Sequence, residues 1–246
     1  IVKIAKKAKK SGVKSFVFAS SCSVYGCSDE GERNEMSEVN PLTAYAKSKV
    51  NTEIHLKELA SKDFIVTCLR FATACGMSDR LRLDLVLNDF VASAIVNNHI
   101  EILSDGTAWR PLINVKDMAL AIDWAINREG DALVIVNTGS NEWNFQVKEL
   151  AEAVKDVFPK ISISINKNAI QDKRSYKVNF NKYKELAPDY QPRYDLNKSI
   201  KELKEGLGKI NFNEKEFRTS NYIRLNVINQ LINRNIIDSN LFVIRK

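Results

Sequence analysis

The chain has 246 residues, 44% apolar and 27% charged, and a formal net charge of +7. That is ordinary for a soluble globular protein with a large core in one or two domains. No apolar run approaches the roughly 18 residues of a membrane span, and four cysteines without a Cys-x-x-Cys pair offer no zinc site. Reduced thiols in a cytoplasmic protein are the expectation. The first residues form a basic amphipathic segment without the apolar centre of a signal peptide.

Residues 1–11 read as a helix ending at Gly12. Its Lys3, Lys6, Lys7, Lys9 and Lys10 lack any accompanying reading motif, so they predict a solvated face and no nucleic-acid surface. Residues 14–20 predict a buried strand, tipped by Ser20-Ser21-Cys22-Ser23-Val24-Tyr25-Gly26. A polar loop leads to Pro41-Leu42-Thr43-Ala44-Tyr45-Ala46-Lys47-Ser48-Lys49. Helix 44–60 carries Tyr45 and Lys49 at its start, with Val50, Ile54 and Leu59 pointing inward and His55 at the surface. Residues 64–71 form the next strand, followed by Ala72-Thr73-Ala74-Cys75-Gly76. A polar loop, 77–82, precedes an apolar helix, 83–97. Residues 100–117 read as strand, turn, strand and helix start, with Asp117 in the first helical turn. Then come a strand (131–138), a helix (145–157), an alternating half-buried strand (161–165) and a basic loop (172–176). A loop and final helix occupy 188–208, with Gly206-Leu207-Gly208 as a cap. Residues 214–246 read as a helical tail without assignable chemistry. Helix and strand alternate, which implies an α/β fold with a parallel sheet.

The chemistry concentrates between Ser20 and Lys49. The spacing i, i+4 puts the Tyr45 phenol and the Lys49 ammonium on one helix face. A free phenol, with a pKa of about 10, is a poor base at neutral pH; a nearby cation favours its ionised form. A hydroxyl at the strand tip can hold a substrate oxygen. Together these groups can move a proton on or off an alcohol while a hydride leaves or reaches the same carbon.

Ser-Ser-x-x-Val-Tyr-Gly at 20–26 followed by Tyr-x-x-x-Lys at 45–49 resembles the extended short-chain dehydrogenase/reductases, the NAD-dependent sugar-nucleotide epimerases, dehydratases and reductases. The resemblance implies a Rossmann-like sheet with a smaller α+β substrate-binding portion. Residues 1–75 would be the cofactor-side domain and 76–213 the substrate portion, with 112–127 packing back on the first sheet. It implies NAD or NADP as cofactor, a nucleotide-diphosphate sugar as substrate, and a homodimer built from helices 1–11 and 44–60. Tyr45 would be the general acid/base, Lys49 would hold the nicotinamide ribose, and Ser21 the sugar oxygen. Ser20 and Thr73 join the cofactor-facing candidates, and Ser23 the substrate-facing ones. Arg80, Arg82, Arg110 and Arg174 would meet the substrate's phosphates and nucleotide, because guanidinium groups pair bidentately with phosphate. Thr73 stands where many relatives have Asn, and Asn114 where many have His.

Within the family, 4,6-dehydratases carry Asp-Glu where this chain has Cys22-Ser23, which disfavours dehydration. A 4-epimerase resembling UDP-glucose 4-epimerase, with hydride transfer at C4, ranks first. A 4-ketosugar reductase uses the same residues. A non-catalytic fragment that binds a sugar nucleotide or a partner is the third reading. Neither G-x-x-G-x-x-G nor G-x-G-x-x-G occurs. The resemblance therefore implies a chain that starts after the glycine turn for pyrophosphate, and weak binding of NAD by the chain alone.

Overall fold

The computed structural model describes residues 1–27, 31–166, 168–169 and 175–244. Helix α1 (Val2–Lys10) buries only Ala5 and leaves its five lysines exposed. Strand β1 (Ser15–Ser21) ends in a 3-10 turn, Cys22–Tyr25, and a short strand β2 (Glu32–Arg33) follows. Then come α2 (Ala44–Leu59), β3 (Ile65–Phe71), β4 (Thr73–Cys75), α3 (Val86–Asn97), β5 (His99–Ile102) and β6 (Trp109–Asn114). They are followed by α4 (Val115–Asn127), β7 (Leu133–Thr138), β8 (Asn144–Gln146), α5 (Val147–Val157) and β9 (Ser162–Ile165). The chain closes with β10 (Lys177–Val178), α6 (Asn181–Leu186), α7 (Leu196–Lys209) and α8 (Arg224–Asn233). Among the described residues no helix is long and apolar enough to cross a membrane.

The architecture is α/β, with a Rossmann-like parallel sheet of order β1-β3-β7. Ser15 pairs with Ile65, Ser21 with Phe71, and Phe71 with Thr138. Successive side chains face opposite sides. Phe18, Val66 and Cys68 meet Ala5 and Leu56 of α1 and α2. Leu69, Phe71 and Val136 meet Ala121, Trp124 and Tyr183 of α4 and α6. The return to this layer is longer than the 112–127 expected from sequence, because β7 completes the sheet after α4. A second core, with Leu87, Val91, Leu150, Val154, Ile200 and Leu203, joins α3, α5 and α7. The tail docks on it through the buried Phe217 and through Arg218, whose guanidinium donates to Asp89 at 2.7 and 2.8 Å.

Several elements differ from the sequence reading. Ile54 is 53% exposed, while the charged Glu53 is buried with Ala46 and Leu56. Helix α3 starts at Val86 because Leu85, its N-cap, is still extended. In β9 only Ile163 is half-buried, since this strand pairs on one side alone. Gly206 lies inside α7, where a Cβ would come within 2.5 Å of the Met77 side chain, so the glycine serves close packing and not a cap.

Glu53 is buried because it has a partner. Arg70 donates to both its oxygens, from Nη2 at 2.7 Å and from Nε at 3.1 and 3.3 Å. The Ser20 hydroxyl donates to Glu53 at 2.5 Å. Arg70 Nη1 donates to the Tyr25 hydroxyl at 3.1 Å, which donates to Asn137 Oδ1 at 2.7 Å. Burial pulls the Arg70 guanidinium down, but the hydrogen bonds and charge of Glu53 outweigh it and hold its pKa above the usual range. Removing one partner strands the other charge in the core. Glu53→Ala is expected to lower the unfolding free energy by about 3–5 kcal/mol, and Glu53→Leu with Arg70→Met by less. Urea unfolding checks this; a loss below about 1 kcal/mol in the single variant contradicts a buried charge pair.

Candidate active site

The tip of β1 is held open by local bonds. Ser21 is extended, and its Oγ accepts from the Ser23 N–H at 3.1 Å, which caps the 3-10 turn. Gly26 ends that turn at φ +70°, where a Cβ would fall 2.0 Å from the Asn40 carbonyl oxygen. Only glycine allows that approach. The Asn40 N–H donates to the Val24 carbonyl at 2.9 Å, so the returning loop is tied to the turn. Thr43 then caps α2, accepting from the Ala46 N–H at 3.1 Å. This delivers Tyr45, 56% exposed, in the first helical turn.

Lys49 lies one turn on and links helix to strand. Its Nζ donates to the Ala19 carbonyl at 2.7 Å and sits 5.1 Å from the Tyr45 ring centroid and 4.9 Å from that of Phe18. Ala19 is two residues from Ser21 on the same strand. Burial lowers the Lys49 pKa, and the charge of Glu53 counters part of that. The Ser23 hydroxyl is buried and has no hydrogen-bond partner among the described residues. The hydroxyl of Ser20 is buried on the other side of β1 and committed to Glu53. The Cys22 thiol donates to the Arg70 carbonyl at 3.0 Å, and burial pushes its pKa well up, so it stays protonated near neutrality. Thr73 is half-buried on β4, paired with Leu112.

Arg80 and Arg82 line one cleft of about 980 Å³, together with Lys116, Glu202 and Lys209. Lys116 pairs with Glu202. Arg82 is gripped by Asp84, from Nε at 2.7 Å and Nη2 at 2.6 Å. Those bonds raise its pKa despite burial. Arg110 does not line this cleft; it is half-buried on β6, and its Nη1 donates to the Trp109 carbonyl at 2.9 Å. Arg174 lies outside the described residues. Sequence reasoning missed Lys116, Glu202 and Lys209, which sit on helices far apart in the chain and share no motif.

Comparison with known proteins gives three kinds of match. Residues 2–139 match the model of the NAD dependent epimerase/dehydratase family. A UDP-glucose 4-epimerase of Rhizobium meliloti (strain 1021) is 26% identical over 206 residues, 75% of this chain and 61% of its own length. One from Pasteurella multocida (strain Pm70) is 31% identical over 174 residues, 61% of this chain and 50% of its own length. The chain thus spans about half to three-fifths of these relatives. Among solved structures, MoeE5 in complex with UDP-glucuronic acid and NAD superposes with a TM-score of 0.75 at 22% identity, covering 85% of this chain and 70% of that one. At that identity the likeness concerns the fold.

The depressed Lys49 pKa has a stability signature. Below the usual lysine value of 10.5, the unfolded state binds this proton more tightly than the folded state does. Stability therefore rises with pH between the folded pKa and 10.5. Denaturant unfolding over that window is expected to show the rise in wild type and its loss in Lys49→Met.

Proposed function

The chain belongs to the NAD-dependent epimerase/dehydratase family, and on that premise we propose that it is the catalytic and substrate-binding part of a sugar-nucleotide 4-epimerase. One observation carries the reading. Lys49 is bonded to the β1 backbone beside Ser21 and lies 5.1 Å from the ring of the exposed Tyr45. The matches to two 4-epimerases favour epimerisation over ketosugar reduction.

The residues present fit the nicotinamide end of NAD. Lys49 spends one donor on Ala19 and keeps two for a ribose. Held there, the family's cofactor would supply the hydride acceptor and donor for the sugar carbon. Tyr45 acts as general base in its phenolate form, taking the proton of the sugar 4-hydroxyl as the hydride leaves C4, and as the phenol returns that proton to the 4-keto oxygen as the hydride comes back after the sugar has turned over. The Lys49 charge stabilises the phenolate that takes the proton. Ser21 Oγ holds the sugar oxygen in line with Tyr45, and the unpartnered Ser23 hydroxyl supplies a further bond. Arg80 and Arg82 receive the diphosphate.

The protein carrying this chain, given NAD, is expected to interconvert UDP-glucose and UDP-galactose. Tyr45→Phe should lower kcat by about 10²–10⁴-fold, with UDP-glucose affinity retained. Wild-type turnover in that variant would sink the assignment. The reading also includes a homodimer through α1 and α2, which pack together and leave Ile1 57%, Ile4 65% and Ile54 53% exposed. Light scattering is expected to give a dimer at micromolar concentration, and a monomer for Ile4→Glu combined with Ile54→Glu.

A further inference from the structure

The tail that carried no chemistry in the sequence forms one wall of the cleft. Tyr222 and Arg224, the latter the first residue of α8, line it together with Arg82. Across the whole lining there are five cationic and three acidic side chains, an excess that suits a doubly charged anion. Asp84 sits against this wall. Its two oxygens occupy the Arg82 fork at 2.7 and 2.6 Å. Its carboxyl is held below the usual range chiefly by its hydrogen bonds from Arg82, against the effect of burial, and Arg224 adds its charge from further off.

We propose that Arg82 and Arg224 form a two-guanidinium clamp for the diphosphate of the sugar nucleotide, and that Asp84 is the internal anion which the diphosphate displaces. The inference rests on the sugar-nucleotide reading above and adds to it a residue from the C-terminal segment. Two carboxylate oxygens on a guanidinium fork stand where two phosphate oxygens would stand. The exchange is favourable. The Arg82–Asp84 pair is 48% and 38% exposed, a setting in which an ion pair contributes little and is readily exchanged. A diphosphate can accept from both guanidinium groups at once, which the Asp84 carboxylate on the Arg82 fork does not do. The incoming group also places a charge of about −2 between the two arginines where Asp84 places one. Freed from Arg82, the Asp84 carboxylate remains at the surface and regains water.

Calorimetric titration with UDP-glucose, and separately with inorganic pyrophosphate, tests this on the full chain. Arg82→Gln and Arg224→Gln are each expected to weaken UDP-glucose binding roughly tenfold or more. Asp84→Asn, which removes the competitor, is expected to bind both probes several-fold more tightly. All three side chains are exposed or partly so, and thermal melts close to wild type would confirm that the variants fold. Unchanged affinity in Arg224→Gln with weakened binding in Arg82→Gln overturns the clamp and leaves the sugar-nucleotide reading standing. Weakening in Asp84→Asn as large as in Arg82→Gln also overturns it, since Asp84 would then aim Arg82 instead of competing for it. Wild type that binds neither probe removes the sugar-nucleotide reading itself.

Discussion

The buried pair of Glu53 and Arg70 is the constraint on which the site depends. Two charges taken out of water cost several kcal/mol each unless every lone pair and proton finds a partner. Here the network spans five elements: Ser20 on β1, Tyr25 at the end of the 3-10 turn, Asn137 on β7, and the pair itself across α2 and β3. Satisfying the pair therefore fixes where α2 lies on the sheet. Lys49 is one helical turn before Glu53, so the same docking sets the Lys49 ammonium on the Ala19 carbonyl. The geometry of the proposed site is thus downstream of a core interaction.

Helix α2 divides its surface accordingly. The stripe Ala46, Glu53 and Leu56 is buried, Lys49 is partly so, and Tyr45 stands free at the N-terminal end. The helix carries charge inward and apolar Ile54 outward, which reverses the usual amphipathic rule. The inward charge is explained by its partner, and the outward isoleucine lies on the face proposed for a second subunit.

Much of the fold was legible because parallel strands read as apolar runs and helices as periodic ones. Ser15–Ser21 and Ile65–Phe71 fell within a residue of expectation, as did the helix starting after Thr43, whose hydroxyl caps it. The parts that failed were those where a charged side chain hides its partner. Glu53 drew no reading at all, because nothing near it in sequence announces Arg70. Arg82 could be proposed as a phosphate ligand, but its pairing with Asp84 depends on how the loop turns. Helix α6 was missed because it is short and buries only Tyr183. The tail was read as an appendage, since one buried phenylalanine and one arginine–aspartate pair leave no periodic trace.

The register of the parallel sheet also governs how the chain must fold. Ser15 waits for Ile65, fifty residues on, and Val66 for Leu133, so no strand of this sheet completes its pairing locally. Sheets of such long sequence separation assemble slowly. The buried pair then acts as a proofreader. A slip of one residue between β1 and β3 would turn Arg70 toward α4 and set Leu69 opposite Glu53, stranding both charges in apolar surroundings. Misregistered intermediates are consequently short-lived, and the charge that costs stability in the core protects the chain against pairing errors during synthesis.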